Sequence, residues 1–480
     1  MSTTAEATVQ PGATESMVSH SEFNTGQIMP INTEVRNVYI QNIIPEQNNY
    51  ANQNEISFMI DARDNAWTDI NNLELEVTLA VKRKNNATHQ STPYPASTAH
   101  PNAFPENNVF HSLWERLEIE INGNPIRSDG NYALKSYIDA LTNYDQSEAK
   151  IMTEMEGFYL TAKGEAVNAK PTMQMSGSNR VDANDHVHAS AMRRQNELVQ
   201  GSAPFTLLGR LKGDILDQGK QLIPGVSMRV RLTKNKPAFN CRAGDISTET
   251  PYLEIQKMEM FVKRTTLQDV VDVAYRKALH ARELATYPIH RTTVTQNILP
   301  SGTHITMNRL VTGPCPRRVY IAFVDNKSIT GDFKKSPYNF ESLDIDELWL
   351  SYDSKDYPCK HYKTDFTASE RSRKNVKAYN EVRKVIMPQE HMEGIPYLTY
   401  HRWLNGHTIW TFDFTSDLSG PTGQFYRTVK RAGDITMELR LRKVPVDSNG
   451  AKRSISVIIF CEYDSTIEIR PADGQPILDW

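Results

Sequence analysis

The chain has 480 residues, with 54 Lys and Arg against 57 Asp and Glu and a net charge of −3. That length exceeds what one hydrophobic core holds and predicts two domains. The near balance of charge excludes a protein held to nucleic acid by bulk positive charge, and the most apolar run, residues 455–461, is far short of the ~20 residues of a membrane helix.

The first 34 residues contain Glu6, Glu15, Glu22 and Glu34, no Lys or Arg, and little apolar material before Ile28. This composition predicts a flexible N-terminal arm over residues 1–34 that orders only against a partner. No charged start precedes an apolar core, so no secretory signal is expected.

Short strands are expected over residues 35–44 and 55–61. After them Leu73, Leu75, Val77, Leu79 and Val81 alternate with polar residues, as do Leu117, Ile119 and Ile121. A strand buried on one face requires this period of two. A loop rich in Asn, Thr, Ser and Pro lies between, over residues 82–109, with Pro93, Pro95, Pro101 and Pro105. Residues 132–155 read as a helix whose Leu134, Ile138 and Leu141 face a sheet, and an irregular insertion follows over residues 164–204. Loops of this length are functional or disordered as a rule, and at the end of a β-sandwich they build a tower, a subunit contact or a ligand surface. Residues 205–263 then supply an apolar strand, a turn, an alternating strand through Val226, Met228, Val230 and Leu232, and a long closing strand. Arg229 and Arg231 take the solvent side.

Val270, Val271, Ala274, Ala278 and Leu279 show helical spacing that Tyr287-Pro288 ends, which predicts a helical connector over residues 267–286. Beyond it the grammar repeats. Strands are expected over residues 319–324 and 348–352 and a helix over 368–384, with Val376 and Tyr379 on its apolar face. Residues 408–469 then restate residues 205–263, with Ile435, Met437, Leu439 and Leu441 inward and Arg440 and Arg442 outward. The first half holds about eight strands, the count of a jelly roll. The expected fold is therefore all-β dominated: two jelly-roll β-sandwich domains in tandem, a double jelly roll with inserted helices. The first spans residues 35–266 and the second residues 287–470, with a tail over residues 471–480.

Candidates for chemistry are few. Asp185-His186-Val187-His188 offers the His-x-His of cupin metal sites, but Met192 and Arg193 stand where the third, carboxylate ligand is needed. Cys359-Lys-His361 lacks a partner pair and is expected in a loop. The stretch from Gly213 to Lys220 has the wrong glycine spacing for a phosphate loop, and Gln221 replaces the hydroxyl residue. Asp344, Asp346 and Glu347 could act as paired carboxylates but sit where a solvated strand end is expected. The basic clusters Lys82-Arg83-Lys84, Arg193-Arg194 and Arg371, Arg373, Lys374, Lys377 are scattered among acids, which favours solvated faces or salt bridges over phosphate contact. Asn86-Ala-Thr88 and Asn326-Lys-Ser328 fit the glycosylation sequon by chance. Cys241, Cys315, Cys359 and Cys461 are far apart, so neither a zinc knuckle nor a disulfide scaffold is signalled. No catalytic, cofactor-binding or metal residue is expected, and the chain is not expected to be an enzyme.

From residue 30 to 470 the chain resembles the major capsid proteins of Polinton (Maverick) elements and adintoviruses. The resemblance is carried in order by Tyr132-Ala-Leu-Lys-Ser-Tyr-Ile-Asp-Ala-Leu141, by Gly209-Arg-Leu-Lys-Gly-Asp214, by Tyr287-Pro288-Ile289, by Pro337-Tyr-Asn-Phe340 and by Glu462-Tyr-Asp464 before Ile467-Glu-Ile469. Ala133-Leu134-Lys135 stands where the family pattern has Pro-Tyr-Lys. The resemblance implies a homotrimer that forms a pseudo-hexameric, hexon-like capsomer and tiles an icosahedral shell around double-stranded DNA. The implied partners are neighbouring capsomers, a single jelly-roll penton protein and minor capsid proteins, with at most weak non-specific contact with packaged DNA. The implied location is the virion, with assembly in the host nucleus.

Overall fold

The computed structural model describes residues 34–47, 53–63, 65–94, 103–159, 195, 198–244, 246–282, 284–368, 372–386, 396–415, 431–447, 449–471 and 474–479. Among these, sixteen strands build two sandwiches, eight strands each. The first eight are β1 (Val35–Ile43), β2 (Glu55–Ile60), β3 (Trp67–Asn85), β4 (Trp114–Ile121), β5 (Asn124–Gly130), β6 (Phe205–Arg210), β7 (Met228–Lys234) and β8 (Glu249–Leu267). The second eight are β9 (Ala285–Ile298), β10 (His304–Pro314), β11 (Arg318–Asp325), β12 (Ile345–Tyr352), β13 (Lys355–Lys363), β14 (Ile409–Asp413), β15 (Ala432–Leu441) and β16 (Ile455–Ile469).

The sheet orders are β1-β8-β3-β6 and β2-β7-β4-β5 in the first sandwich, then β9-β16-β11-β14 and β10-β15-β12-β13 in the second. Adding eight to each number of the first pair gives the second. Every pairing within these sheets is antiparallel. This is the jelly-roll winding, and it occurs twice. The equivalent hairpins β4–β5 and β12–β13 turn on two residues with positive φ, Asn122-Gly123 and Asp353-Ser354, as the twist of tight hairpins favours. Four short strands extend the plan. Ser91–Pro93 folds back on β3, Ala103–Pro105 pairs with Cys241–Ala243, and Pro476–Asp479 pairs with β16. The loop expected over residues 82–109 is thus partly strand.

Each sandwich has a core between its sheets, and the first of these also takes in Tyr287 and Ile289 of β9 and Ile467 and Ile469 of β16. Leu75, Val77 and Leu79 of β3 meet Ile119 and Ile121 of β4 and Met228, Val230 and Leu232 of β7 in the first. Val319, Ile321 and Phe323 of β11 meet Trp410 and Phe412 of β14 and Ile435, Met437 and Leu439 of β15 in the second. The predicted inward residues are the buried ones, because only they can leave water without stranding a polar group.

The helices depart from expectation in three ways. The helix expected over residues 132–155 is two, α1 (Tyr132–Asn143) and α2 (Gln146–Glu156). The break arises because Tyr144 is extended and Asp145 caps the next helix, its carboxylate accepting from Glu148 N at 2.6 Å. The connector helix α3 covers Asp269–Arg282. The helix expected from residue 368 starts only at Val376 and runs to Ile386 as α4. Arg373 is left-handed there, and Asn375 turns its side chain back to the backbone of Asp365, so the helix cannot begin earlier. Val376 is exposed, whereas Ala378 and Val382 form the buried face of α4. The short helix α5 (Tyr400–Leu404) follows, before β14.

Candidate assembly surfaces and the junction between the sandwiches

The two sandwiches meet through a third apolar cluster. Leu134, Tyr137, Ile138 and Leu141 of α1 pack on Tyr320, Ala322 and Val324 of β11, Ile409 of β14, and Ile458 and Phe460 of β16. These are the residues between the inward ones, so β11 and β16 are buried on both faces. That explains the apolar run of residues 455–461, interrupted by the buried Ser456: one face fills the second core and the other meets the first sandwich. α1 therefore lies on a sheet, as expected, but on the sheet of the other sandwich.

Aromatic and polar contacts fix the angle of this junction. Tyr137 stacks on Tyr338 with centroids 4.0 Å apart, and its hydroxyl lies 3.1 Å from Nε2 of His407. Lys135 Nζ donates to Asp214 Oδ1 at 3.2 Å, and the same carboxylate accepts from Thr292 N and Oγ1 on β9. This buried pair ties α1, the turn after β6 and the second sandwich together. Beneath α1, His111 lies between Tyr132 and Glu156, at 2.9 Å and 3.4 Å. Burial works against the Glu156 carboxylate, but His111, Lys212 and Tyr144 outweigh it and hold the carboxyl below its ordinary range.

Asp139, half-buried on the same helix, behaves oppositely. Burial pushes its carboxyl up to about 6, with Asp217 and Glu462 adding to the rise and Lys135 and Lys212 opposing it. A folded-state value above the unfolded one means that ionisation, on raising the pH through 4 to 6, costs the folded state. Asp139→Asn is therefore expected to stabilise the chain at pH 7.5 by about 1–2 kcal/mol and by much less at pH 4, as read by thermal melts at both pH values. A melting temperature unchanged at pH 7.5 would contradict this.

The outer faces of the β2-β7-β4-β5 and β10-β15-β12-β13 sheets carry the arginines predicted to face solvent, each matched by acid. Arg229 reaches Glu46 and Arg231 reaches Glu120, while Arg440 reaches Glu347 and Arg442 reaches Asp346 and Asp365. Lys82 and Arg83 pair with Glu254 and Glu249, and Lys374 with Asp365. These cations have protein partners and do not form a phosphate-binding stripe. Lys363 also approaches Glu347, and Lys443 pairs with Asp344, so Asp344, Asp346 and Glu347 are salt-bridged strand-end residues rather than a working pair of carboxylates.

The other sequence candidates are equally structural. Cys359 and His361 lie on strand β13, not in a loop. His361 stacks on Trp349 at 4.1 Å, with its two ring nitrogens 3.2 Å from Glu347 and 3.0 Å from Asp356. From Gly213 to Lys220 the chain makes a turn, in which Leu216 N and Asp217 N both donate to Gly213 O and Lys220 Nζ donates to Thr286 O. Asn86 donates to Ile246 O and holds two loops, and Asn326 accepts from Ser456 Oγ. Residues 185–188, 192–194 and 371 lie outside the described residues. Among the described residues, no group of three or more His, Cys, Asp or Glu could hold a metal ion, and no helix is long and apolar enough to cross a membrane. All four cysteines are free, and burial pushes the Cys461 thiol up to about 12.

The sequence reading missed Lys135, Asp214 and Tyr137 as junction residues. A lysine on the apolar face of a helix was the available signal, since a buried cation needs a buried partner. Exposed apolar side chains gather on the edge strand β1, at Val38 and Ile40, and on α3, at Val270, Val273 and Tyr275. An edge strand with an uncovered apolar face is a ready contact surface for another chain.

No known family profile matches the sequence. A curated Caenorhabditis elegans relative, "Uncharacterized protein F54H12.2", is 20% identical over 287 residues, 59% of this chain and 61% of the relative, so the chain spans about three fifths of the length of the curated relative it matches. Among solved structures, a chain of the Sputnik virophage superposes with a TM-score of 0.59 at 13% identity, covering 99% of this chain and 93% of that one. The PBCV-1 virus capsid gives 0.56 at 13% identity, with 95% and 99% covered. The Faustovirus major capsid protein gives 0.51 at 8% identity, with 93% and 92% covered. At such identities the likeness concerns the fold, and it extends over both sandwiches: this chain has the double jelly-roll fold found in viral capsid proteins.

Proposed function

We propose that the chain is a viral major capsid protein of the hexon-like kind, related to those of Polinton elements and adintoviruses. The observation that carries this reading is the repeated eight-strand winding together with end-to-end likeness to capsid chains. Three copies, each contributing two similar sandwiches, make a six-cornered capsomer from threefold symmetry, and capsomers of that outline tile an icosahedral shell around double-stranded DNA. The domain limits are those expected above: sandwiches over residues 35–266 and 287–470, a connector over residues 267–286, an arm over residues 1–34 and a tail over residues 471–480. The arm ties the capsomer to neighbours, and a single jelly-roll penton protein and minor capsid proteins complete the shell. The protein acts in the virion after assembly in the host nucleus, without catalytic, cofactor or metal residues. A nematode relative fits an element carried in an animal genome.

Light scattering of the purified chain tests the reading. A trimer of 54.6 kDa chains, about 164 kDa, with a six-cornered outline in negative stain is expected. A stable monomer that binds saccharides on a glycan array would replace it with a non-assembling carbohydrate- or receptor-binding protein.

A further inference from the structure

A cavity of about 530 Å³ opens where β8 passes into α3 and α3 into β9, walled chiefly by Trp67, Ile223, Leu267, Tyr275, Leu279 and Leu284. Its size falls within the roughly 300–1,000 Å³ of ligand pockets, and its apolar walls favour an apolar occupant. Glu34 and Val35 also line it. The chain is held there, because Gln268 N donates to Glu34 O at 2.9 Å and Arg36 pairs with Asp269 at 3.2 Å.

We propose that this groove receives the segment Ile28-Met29-Pro30-Ile31 of the same chain. Ile28, Met29 and Ile31 are the densest apolar cluster of the first 34 residues, and residues 24–33 carry no charge. A segment of that kind loses little by leaving water, and Pro30 brings no N–H donor that would need a partner. Two residues separate Ile31 from Glu34, a reach of about 10 Å, so the tether presents the segment to the groove at an effective concentration on the order of millimolar. A free peptide or a neighbouring copy has no such advantage. Lys220 and Glu34 are the charged residues of the wall, and Lys220 already donates to Thr286 O. Anchoring at residues 28–31 leaves residues 1–27 to reach a partner. The inference stands on the groove and on chain connectivity within one molecule, so it holds or fails apart from the capsid reading.

Two measurements on the full-length chain test it. With Cys359→Ser to remove the exposed thiol, Ile31→Cys combined with Leu279→Cys is expected to oxidise to an intramolecular disulfide at least about tenfold faster than Ser19→Cys combined with Leu279→Cys, as read by non-reducing gels and mass spectrometry. Hydrogen exchange supplies the second readout: Ile28→Asp with Ile31→Asp should speed exchange of the α3 amides by about tenfold and leave the strands unchanged. Equal oxidation rates, or unaltered exchange in α3, would overturn the proposal. Crosslinks between chains would overturn it too, by assigning the groove to the arm of a neighbouring copy.

Discussion

Replacing Tyr137 with alanine is expected to cost about 3–5 kcal/mol and to split thermal unfolding into two transitions. The side chain is buried at the junction, stacked on Tyr338 and joined to His407. Removing it leaves a cavity in the junction cluster while the inward residues of both sandwiches stay in place, so the loss falls on the coupling more than on either fold. Calorimetry is the measurement. The parent should melt as one cooperative unit, the alanine variant as two, and Tyr137→Phe, which keeps the stacking, should lose only about 1 kcal/mol. A single transition at an unchanged temperature in Tyr137→Ala would show that the sandwiches are coupled elsewhere.

Lys135→Met is expected to be as damaging for an electrostatic reason. Both members of the Lys135–Asp214 pair are nearly inaccessible, with side chains 2% and 3% exposed. Taking away the ammonium leaves a carboxylate in a medium that solvates it poorly, at a cost of about 3–5 kcal/mol. Asp214→Asn added to Lys135→Met should restore most of this, because an amide oxygen can still accept from Thr292 without carrying charge. Denaturant midpoints of the parent, single and double variants decide the matter, and a double variant no better than the single would refute the electrostatic account.

Much of the architecture was legible because burial on one face leaves a period of two. β3, β7 and β15 could be read residue by residue, and the matching order of elements in the two halves revealed the duplication. The junction was less legible. Val319 to Val324 reads as a buried strand from its composition, but the same apolar run would arise whether the second face met a helix, a sheet or another subunit. Equally, the apolar face of α1 shows that it covers something, not which sandwich. The late start of α4 depends on a side-chain bond from Asn375 to Asp365, residues ten apart, which no periodicity registers.

The assembly surfaces divide in the same way. Arg229, Arg231, Arg440 and Arg442 were placed on the outer faces by alternation alone, but their acidic partners come from neighbouring strands and loops, so only the folded sheet turns a row of cations into a neutral face. The sequence by itself determined two jelly rolls in tandem, since local alternation and turn positions specify which face of each strand must leave water. The tertiary structure decided which surfaces meet: α1 on the second sandwich, Lys135 on Asp214, and a groove beneath α3. Those depend on contacts between residues distant in the chain, whose complementarity in shape and charge exists only once both sandwiches have formed.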